Sequence, residues 1–247
     1  MTNLVPSIEK MDVILTVIAE SRQGLSFMEI VHQTKLNKST IYSILNTLEN
    51  LNYISKNDKK NYVIDYRLAF LGSKYSENSK YIELFDRFGN ELVEQVNETC
   101  QLSILKGGNI CYLAKVESKS NIRIKTEPGQ MIPAYATAMG KVLLSGLPNE
   151  ELYERLGEPP FKPLTRKTVQ TMDELIHQIQ FGQQNGYVLE RGETEEGLFC
   201  IAAPIFNHKK EMIAAVSVTA LDVYYDSKSE VLKEAVLNLA RNISSNL

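Results

Sequence analysis

The sequence predicts an α+β protein of two domains: a small N-terminal domain of three helices and a hairpin, and a larger C-terminal domain of mixed helices and strands. Its 247 residues exceed the roughly 100–150 residues of a common single domain. Helical hydrophobic spacing dominates the first 75 residues, whereas helical and strand-like runs alternate from residue 81 onwards. We therefore expect domains at residues 1–75 and 81–247, joined by a linker at residues 76–80, because Gly72 and the polar run at 76–79 should weaken the helix that precedes it.

The composition is typical of an ordinary globular protein. Hydrophobic residues make up 43% and charged residues 23%, and the net charge of −3 gives no sign of a nucleic-acid partner by itself. The three cysteines are scattered, which indicates reduced thiols rather than a disulfide framework. Neither a signal peptide nor a long apolar run is visible, so we expect a cytoplasmic protein with no membrane partner.

The first two helices are predicted by apolar spacing and by capping residues. Apolar residues at helical spacing follow Ser7, which we expect to cap the first helix. Ser26 and Glu29 have the spacing of a capping box, in which a hydroxyl and a carboxylate satisfy each other's backbone donors. This pair predicts the start of a short second helix.

A third helix, predicted to begin after Asn37, has two unlike faces. Apolar residues recur at helical spacing from Ile41 to Leu51, and the opposite face carries hydroxyls, amides and the ring of Tyr42. Asparagine side chains can read adenine edges, and hydroxyls can reach phosphates or bases, so this face suits the major groove of DNA. For an isolated helix, a solvated polar face is the ordinary interpretation.

The segment after the third helix favours DNA binding. It predicts strands at residues 53–56 and 62–64 with a basic turn between them, and three helices followed by such a hairpin make a winged helix-turn-helix. We therefore expect a double-stranded DNA partner; a protein-interaction module is the alternative. The predicted DNA-binding residues are Ser26, Lys38, Ser39, Thr40, Tyr42, Ser43, Asn46, Lys56, Lys59 and Lys60.

The second half alternates strands with helices. Gly107-Gly108 predicts a hairpin turn, Thr171 and Glu174 form a second capping box, and Ser227 is the expected cap of the last helix. The pattern predicts helices at residues 81–96, 137–144, 171–185 and 227–243, and strands at residues 102–105, 110–113, 187–190, 199–206 and 213–219.

The sequence resembles the isocitrate-lyase-regulator (IclR) family of bacterial transcription factors over nearly its whole length. The resemblance is carried by residues 24–49 and by PAYATAMGK at 133–141, GYVLE at 186–190 and GLFCIAAPI at 197–205. It implies a winged helix-turn-helix, a GAF-like α/β effector-binding domain, dimers or tetramers, and a small organic acid or related metabolite as effector. Three residues depart from the usual pattern: Ser43 stands where many relatives have Arg, Tyr135 where His is frequent, and Phe199 where Arg is frequent.

A ligand pocket needs apolar walls with a few convergent polar groups. Alternate positions place Ser217 and Thr219 on one strand face, and the start of a helix near Thr137 offers N–H groups to a carboxylate. The family's effector sites draw on corresponding positions. The predicted effector-binding residues are Ala136, Thr137, Ala138, Met139, Gly140, Glu190, Cys200, Ser217 and Thr219.

Each of these residues has a plainer interpretation. Cys200 could be a buried, inert thiol, and the hydroxyls of Ser217 and Thr219 could line a solvated strand face. Glu190 lies in an acidic stretch and could be solvated or paired with Arg191.

Catalysis and metal binding have little support. A nucleophilic Cys200 would need a base, yet the three histidines, at positions 32, 177 and 208, lie outside any catalytic motif. The Cys and His residues are isolated, which argues against zinc. We therefore expect no catalytic residue, no metal and no cofactor. The expected protein is an effector-controlled regulator, a repressor rather than an activator, that binds a pseudo-palindromic operator as a homodimer or homotetramer.

Overall fold

The predicted N-terminal helices and hairpin all form. The computed structural model describes residues 4–77, 79–120 and 123–247, and the chain divides into two units at residues 1–78 and 79–247. The elements of the first unit are α1 (Pro6–Glu20), α2 (Phe27–Thr34), α3 (Lys38–Asn50), β1 (Ile54–Lys56), β2 (Tyr62–Ile64) and α4 (Tyr66–Glu77).

The first unit has its own apolar core, to which α1, α2, α3 and the hairpin contribute. Ile41 and Leu45 bury the apolar face of α3, which is the face that helical spacing predicts. The wing is attached to this core through Tyr62, whose backbone exchanges hydrogen bonds with Leu25 at 2.8 and 3.0 Å. The core therefore fixes both α3 and the wing on one small scaffold.

Two of the expected helix boundaries in this unit are wrong, and one is confirmed. The capping box of Ser26 and Glu29 is present at the start of α2. Ser7 does not cap α1, because that helix already begins at Pro6, and a proline in the first turn has its φ preset and no N–H to satisfy. Gly72 does not weaken the following helix, since α4 continues through it to Glu77.

The second unit contains one antiparallel six-stranded sheet in the order β5-β4-β3-β8-β7-β6. Its elements are α5 (Lys80–Val96), β3 (Thr99–Lys106), β4 (Asn109–Val116), β5 (Met131–Pro133), α6 (Ala138–Leu144), α7 (Asn149–Leu156), α8 (Met172–Asn185), β6 (Val188–Arg191), β7 (Leu198–Phe206), β8 (Met212–Leu221) and α9 (Tyr225–Ser245). The strand β5 and the helix α7 were not predicted from the sequence.

The capping predictions in this unit had mixed outcomes. The capping box of Thr171 and Glu174 is confirmed at the start of α8. Ser227 is not the cap of α9, because a 3₁₀ turn at Asp222–Tyr224 leads directly into a helix that begins at Tyr225. The Ser227 hydroxyl instead donates to the carbonyl of Tyr224 at 3.1 Å, inside the first turn.

Strand alternation divides the sheet between two helical layers. Ile201 of β7 and Val218 of β8 belong to the core shared with α5 and α9, whereas Ala202 and Ala215 belong to the core shared with α6 and α8. On the α6 side, the apolar residues of β8 give way to Ser217 and Thr219. This face of the sheet therefore changes from apolar to polar along its strands, and a cavity forms where it becomes polar. Among the described residues, no helix has the length and apolar character needed to span a membrane.

Candidate functional site

The outer face of α3 presents polar groups to solvent. Tyr42 is 61% exposed, and Lys38, Ser39 and Ser43 are also exposed, whereas Asn46 is half-buried. No side chain caps the start of α3 within the described part of the chain. The first-turn N–H groups of a helix are natural donors to an anion when no cap takes them.

A shallow groove lies between the first halves of α1 and α3. Thr40, Ser39 and Ser43 line it from α3, and Ser7 and Lys10 line it from α1. The groove thus brings together three of the predicted DNA-binding residues. It also adds Lys10, which sequence analysis did not select because it lies outside the helix-turn-helix itself.

The lysines of the wing differ in their surroundings. The Nζ of Lys56 lies 3.1 Å from Glu49 Oε2 of α3 and 4.9 Å from the centre of the Tyr62 ring, so this side chain fastens the wing to the helix. In the described residues, no carboxylate forms a salt bridge with Lys59 or Lys60 at the turn. The structure therefore leaves the two turn lysines available to phosphates and holds Lys56 in an internal contact.

Ser26 is also engaged within the protein. Its hydroxyl donates to Glu29 Oε2 at 2.7 Å and accepts from the Glu29 N–H at 3.4 Å. A phosphate contact from this position would have to compete with the capping box for the same hydroxyl.

The second unit holds a cavity of about 60 Å³ on the α6 side of the sheet. One water requires roughly 10–15 Å³ on this measure, so the space suits a small molecule. Seven of the nine predicted effector-binding residues line it: Thr137, Ala138, Met139, Glu190, Cys200, Ser217 and Thr219. The other lining residues are Gln101, Tyr112, Ile124, Lys125, Thr126, Thr194, Glu195 and Leu198.

Strand pairing explains why the polar residues of the floor converge. Glu190 of β6 pairs with Cys200 of β7, and Cys200 pairs with Thr219 of β8. Gln101 of β3 pairs with Ser217 of β8. Directly paired residues point to the same side of a sheet, so these five side chains share one face.

Two hydroxyls of the cavity lining belong to residues that are mostly buried. Ser217 is 2% exposed and Tyr112 is 5% exposed. Burial raises the pKa of the Tyr112 phenol, which therefore remains an O–H donor at neutral pH. The Thr219 hydroxyl is within 3.2 Å of Cys200 Sγ.

The start of α6 supplies backbone donors. Thr137 caps the helix by accepting the Gly140 N–H at 2.8 Å, and the N–H groups of Ala138 and Met139 have no acceptor among the described residues. Ala136 and Gly140, although predicted, do not line the cavity. Gly140 is packed against the backbone instead, since a Cβ there would lie 2.1 Å from the Ala134 carbonyl oxygen.

Glu190 is buried at the cavity wall. Burial raises its pKa to about 7, against the opposing effect of the Glu193 N–H, which donates to Glu190 Oε2 at 2.8 Å. The expected alternatives, a solvated carboxylate or a partner of Arg191, are wrong. Glu190 is only 2% exposed, and Arg191 pairs with Asp222.

A buried ion pair stabilises the cavity wall at Glu190. Lys141 of α6 is fully buried and pairs with Glu193, whose second carboxylate oxygen accepts the Val169 N–H at 3.1 Å. Burial lowers the pKa of Lys141, while the charge of Glu193 opposes that shift. Because the backbone of Glu193 also bonds to Glu190, the ion pair fixes the position of the cavity carboxyl.

Sequence analysis missed several residues of the cavity. Tyr112, Gln101, Thr126 and Thr194 all line it. The Gln101 amide donates to the Thr126 hydroxyl, and the Thr194 hydroxyl donates to the Ala136 carbonyl at 2.9 Å. Alternation along the strands at 99–106 and 109–116 could have placed Gln101 and Tyr112 on faces, but nothing in their neighbourhood marks them as ligand contacts.

A winged helix-turn-helix followed in the chain by a domain with a polar-lined cavity is the architecture of a ligand-responsive transcriptional regulator. Family models match both parts: the IclR helix-turn-helix domain over residues 7–58, and the bacterial transcriptional regulator IclR C-terminal domain over residues 73–245. The chain therefore belongs to the IclR family of transcriptional regulators, with an N-terminal DNA-binding domain and a C-terminal effector-binding domain.

Individual relatives agree with this assignment over nearly the full chain. The transcriptional regulator KdgR of Dickeya chrysanthemi is 32% identical over 98% of this chain and 80% of its own length. The regulator XynR of Escherichia coli is 30% identical over 96% of this chain and 97% of its own length. The crystal structure of Thermotoga maritima IclR matches with a TM-score of 0.81 and 26% identity, covering 98% of both chains.

Proposed function

We propose that the protein is a repressor that binds a pseudo-palindromic operator as a homodimer, or as a dimer of dimers, and that a small organic acid controls its affinity for DNA. The DNA-binding domain is assigned to residues 1–75, the linker to 76–80 and the effector-binding domain to 81–247. The protein acts without a catalytic step. A protein that binds operator DNA would work in the bacterial cytoplasm.

The class of effector is inferred from the residues that line the cavity. Hydrogen-bond donors at the cavity include the Ser217 hydroxyl, the Tyr112 hydroxyl and the N–H groups of Ala138 and Met139. A bound carboxylate would satisfy several such donors at once, and the partly protonated Glu190 would limit the charge repulsion. These donors, with Lys125 also in the lining, favour an anion of a few carbon atoms.

The N-terminal domain supplies the DNA contacts. The exposed face of α3 offers Ser39, Tyr42 and Ser43 to the major groove, with Asn46 beside them. Lys59 and Lys60 would neutralise phosphates from the wing. Repression would result where such an operator overlaps a promoter, because the bound protein would exclude the polymerase.

The helix α4 supports assembly into a dimer. None of its residues is buried in the chain, and it exposes Tyr66, Phe70, Leu71 and Tyr75. A helix with an exposed apolar side is stabilised by covering that side, and a second copy would also supply the second recognition helix that a pseudo-palindrome requires.

The test is fluorescence anisotropy on DNA upstream of the gene and its neighbours, at two salt concentrations. A Lys38/Lys59/Lys60→Ala variant is compared with a Lys106/Lys162/Lys209→Ala variant, which loses the same charge from the other domain. We expect selective binding that only the first variant weakens, with its salt slope reduced by about 0.9 for each lost phosphate contact. Equal behaviour of the two variants, or no sequence-selective binding even to a random-sequence library, would favour a protein-interaction role for the winged helix.

The allosteric part of the proposal has its own test. Thermodynamic linkage requires that operator DNA and effector change each other's affinity by the same factor. Titrating the effector by calorimetry, with and without operator, should give two different dissociation constants. Equal constants would refute allosteric control while leaving DNA binding intact.

A further inference from the structure

Two buried carboxyl groups at the cavity wall share one buried lysine. Glu190 and Glu193 are 2% and 6% exposed, and Lys141 is fully buried. The ammonium of Lys141 pairs with Glu193, which also accepts the Val169 N–H. Among the described residues, Glu190 forms no salt bridge, so it is the carboxyl without a cation of its own.

The side chain of Glu190 belongs to the cavity. Glu190 pairs with Cys200, and Cys200 pairs with Thr219, so these residues share the sheet face that lines the cavity. One carboxylate oxygen of Glu190, Oε2, accepts the Glu193 N–H at 2.8 Å. The other oxygen is free of that contact.

The charged and titratable groups around Glu190 come from four places in the described chain. Lys141 of α6, Glu193 of the loop after β6 and Cys200 of β7 act on it directly, and its own charge acts on Tyr112 of β4. Burial raises the pKa of the thiol and of the phenol, so both are uncharged at neutral pH. The lysine is therefore the one source of positive charge in this group.

The cavity brings a bound anion close to Glu190. Its volume of about 60 Å³ is room for about four to six waters. Lys125 and Glu195 also line it, but both are exposed, and water weakens the effect of exposed charges. A ligand carboxylate beside an ionised Glu190 would place two like charges in one small site, where one of them takes a proton instead.

We propose that the acid effector binds together with one proton, which Glu190 takes up from solvent and holds for as long as the effector is bound. The proton bonds to the carboxylate oxygen that does not accept the Glu193 N–H, and the resulting O–H donates to the effector carboxylate. No other bond forms or breaks, and the proton returns to solvent when the effector leaves. The inference rests on the proposed acid effector and makes its binding sensitive to pH.

The pH dependence of binding has a defined sign. Burial raises the pKa of Glu190 to about 7 in the free protein, and a bound anion would raise it further. Below pH 6 the free protein already holds the proton, whereas above pH 7 each binding event has to collect it. Affinity for a carboxylate should therefore fall about tenfold from pH 6 to pH 8.

The experiment measures proton uptake by the full chain and by two matched variants. Glu190→Gln keeps the shape of the buried side chain but cannot ionise, and Glu195→Gln removes an exposed carboxylate from the same lining. The probes are propanoate, butanoate and 2-oxobutanoate, which are ionised at pH 6 and at pH 8. Calorimetric titrations at both pH values, each in two buffers of different ionisation enthalpy, give the dissociation constant and the number of protons taken up.

We expect the wild type to take up nearly one proton per bound acid at pH 8 and almost none at pH 6, with about tenfold weaker binding at pH 8. Glu195→Gln should behave in the same way. Glu190→Gln should take up no proton and bind with similar affinity at both pH values, because its amide can donate at either pH. The proton count of the wild type needs no variant, so it tests the proposal even if Glu190→Gln is unstable.

Three results would overturn the proposal while leaving the acid effector in place. They are acid binding by the wild type at pH 8 without proton uptake, unchanged uptake in Glu190→Gln, and loss of uptake in Glu195→Gln. If none of the acids binds the wild type at either pH, the proposed acid effector is wrong and the proton uptake falls with it, whereas the DNA-binding test is unaffected.

Discussion

The polar face of α3 and the polar cavity of the second unit differ in their exposure to water. The proposed DNA-binding face of α3 carries polar groups that are open to water, since Tyr42 and Ser43 are exposed. The proposed effector cavity carries polar residues that are largely removed from bulk water, since Ser217 and Glu190 are each 2% exposed. An exposed polar group loses little free energy when its ligand is absent, because water takes the place of the ligand. A buried polar group must instead be held in place by neighbouring protein groups.

The difference extends to the ion pairs of each region. Lys56 and Glu49 join the wing to α3 in solvent, with side chains 41% and 37% exposed. Lys141 and Glu193 join α6 to the loop after β6 with no exposure at Lys141. The first pair holds the wing against α3 at the protein surface, and the second holds the wall of the cavity in position. Substitutions in the two regions should therefore differ greatly in their effects on stability.

The largest effect should come from Lys141→Met. The substitution leaves the Glu193 carboxylate buried without its counter-charge, and breaking a buried pair in this way costs about 3–5 kcal/mol. Lys56→Met in the exposed pair should cost under about 1 kcal/mol. Urea unfolding of both variants, monitored by circular dichroism, measures the contrast. Equal losses of unfolding free energy in the two variants would show that burial does not determine how much each ion pair contributes to stability.

A double substitution sharpens this comparison. Lys141→Met combined with Glu193→Gln removes both charges, so much of the stability lost in Lys141→Met should return. If the double variant is as unstable as the single one, the packing of Lys141 rather than its charge is what matters.

The second effect is a dependence of stability on pH that originates in Glu190. Its pKa is about 7 in the folded protein, above the ordinary value of 4.5. Stability is therefore lost as the pH rises from 4.5 through 7, because only the unfolded chain releases the proton early in that range. At 1.36 kcal/mol per unit, the loss is about 3 kcal/mol. The Glu190→Gln variant should lack this loss, and urea unfolding at pH 5 and pH 8 would show it. An identical pH dependence in both proteins would contradict the role of burial.

A smaller effect is expected in the DNA-binding domain from Ser26→Ala. The substitution removes the cap of α2, which typically costs about 1 kcal/mol. Thermal melting measures this loss, and Ser26→Asn, which keeps a capping oxygen, should recover most of it. DNA affinity separates the two roles of the residue. If Ser26 also contacts DNA, Ser26→Asn will remain defective in binding although its stability is restored.

The smallest effect should be seen with thiol reagents. Burial raises the pKa of Cys200 well above the ordinary value, with the neighbouring Glu190 adding to the shift. Cys200 should therefore react more slowly than a free thiol in an unfolded peptide, because the thiolate is the reactive form. Mass spectrometry after timed alkylation gives the rate at each cysteine. Unusually fast labelling of Cys200 would reopen the question of a nucleophilic role.

Most of the fold could be predicted from local pattern. Helical spacing and the capping box at Ser26 identified α1 to α3, and apolar runs bounded by turn residues identified β6, β7 and β8. The short strand β5 (Met131–Pro133) offered only three residues and no alternation to detect. The helix α7 (Asn149–Leu156) buries a single residue, Leu152, so its apolar pattern is too sparse to predict a helix.

The cavity could be predicted only in part, since its residues meet through the sheet. Period-two alternation correctly places Ser217 and Thr219 on one face. The pairing of Lys141 with Glu193 links residues 52 positions apart, and no local pattern reports such a contact. Tyr112 resembles an ordinary core aromatic in the sequence. Its place in the lining of the cavity becomes apparent only in the assembled sheet.

The construction of the cavity floor has a consequence for how such regulators diversify. Five adjacent strands, from β4 to β6 in the sheet order, each contribute one or two side chains to it. Their backbones are committed to the ladder, so exchanging one of these side chains changes the chemistry of the cavity without moving the chain. The segment at Gly140 is different, because its close contact with Ala134 tolerates no added atom. If the cavity is the effector site, single substitutions on its strands would change which ligand it accepts, while the start of α6 stays the same.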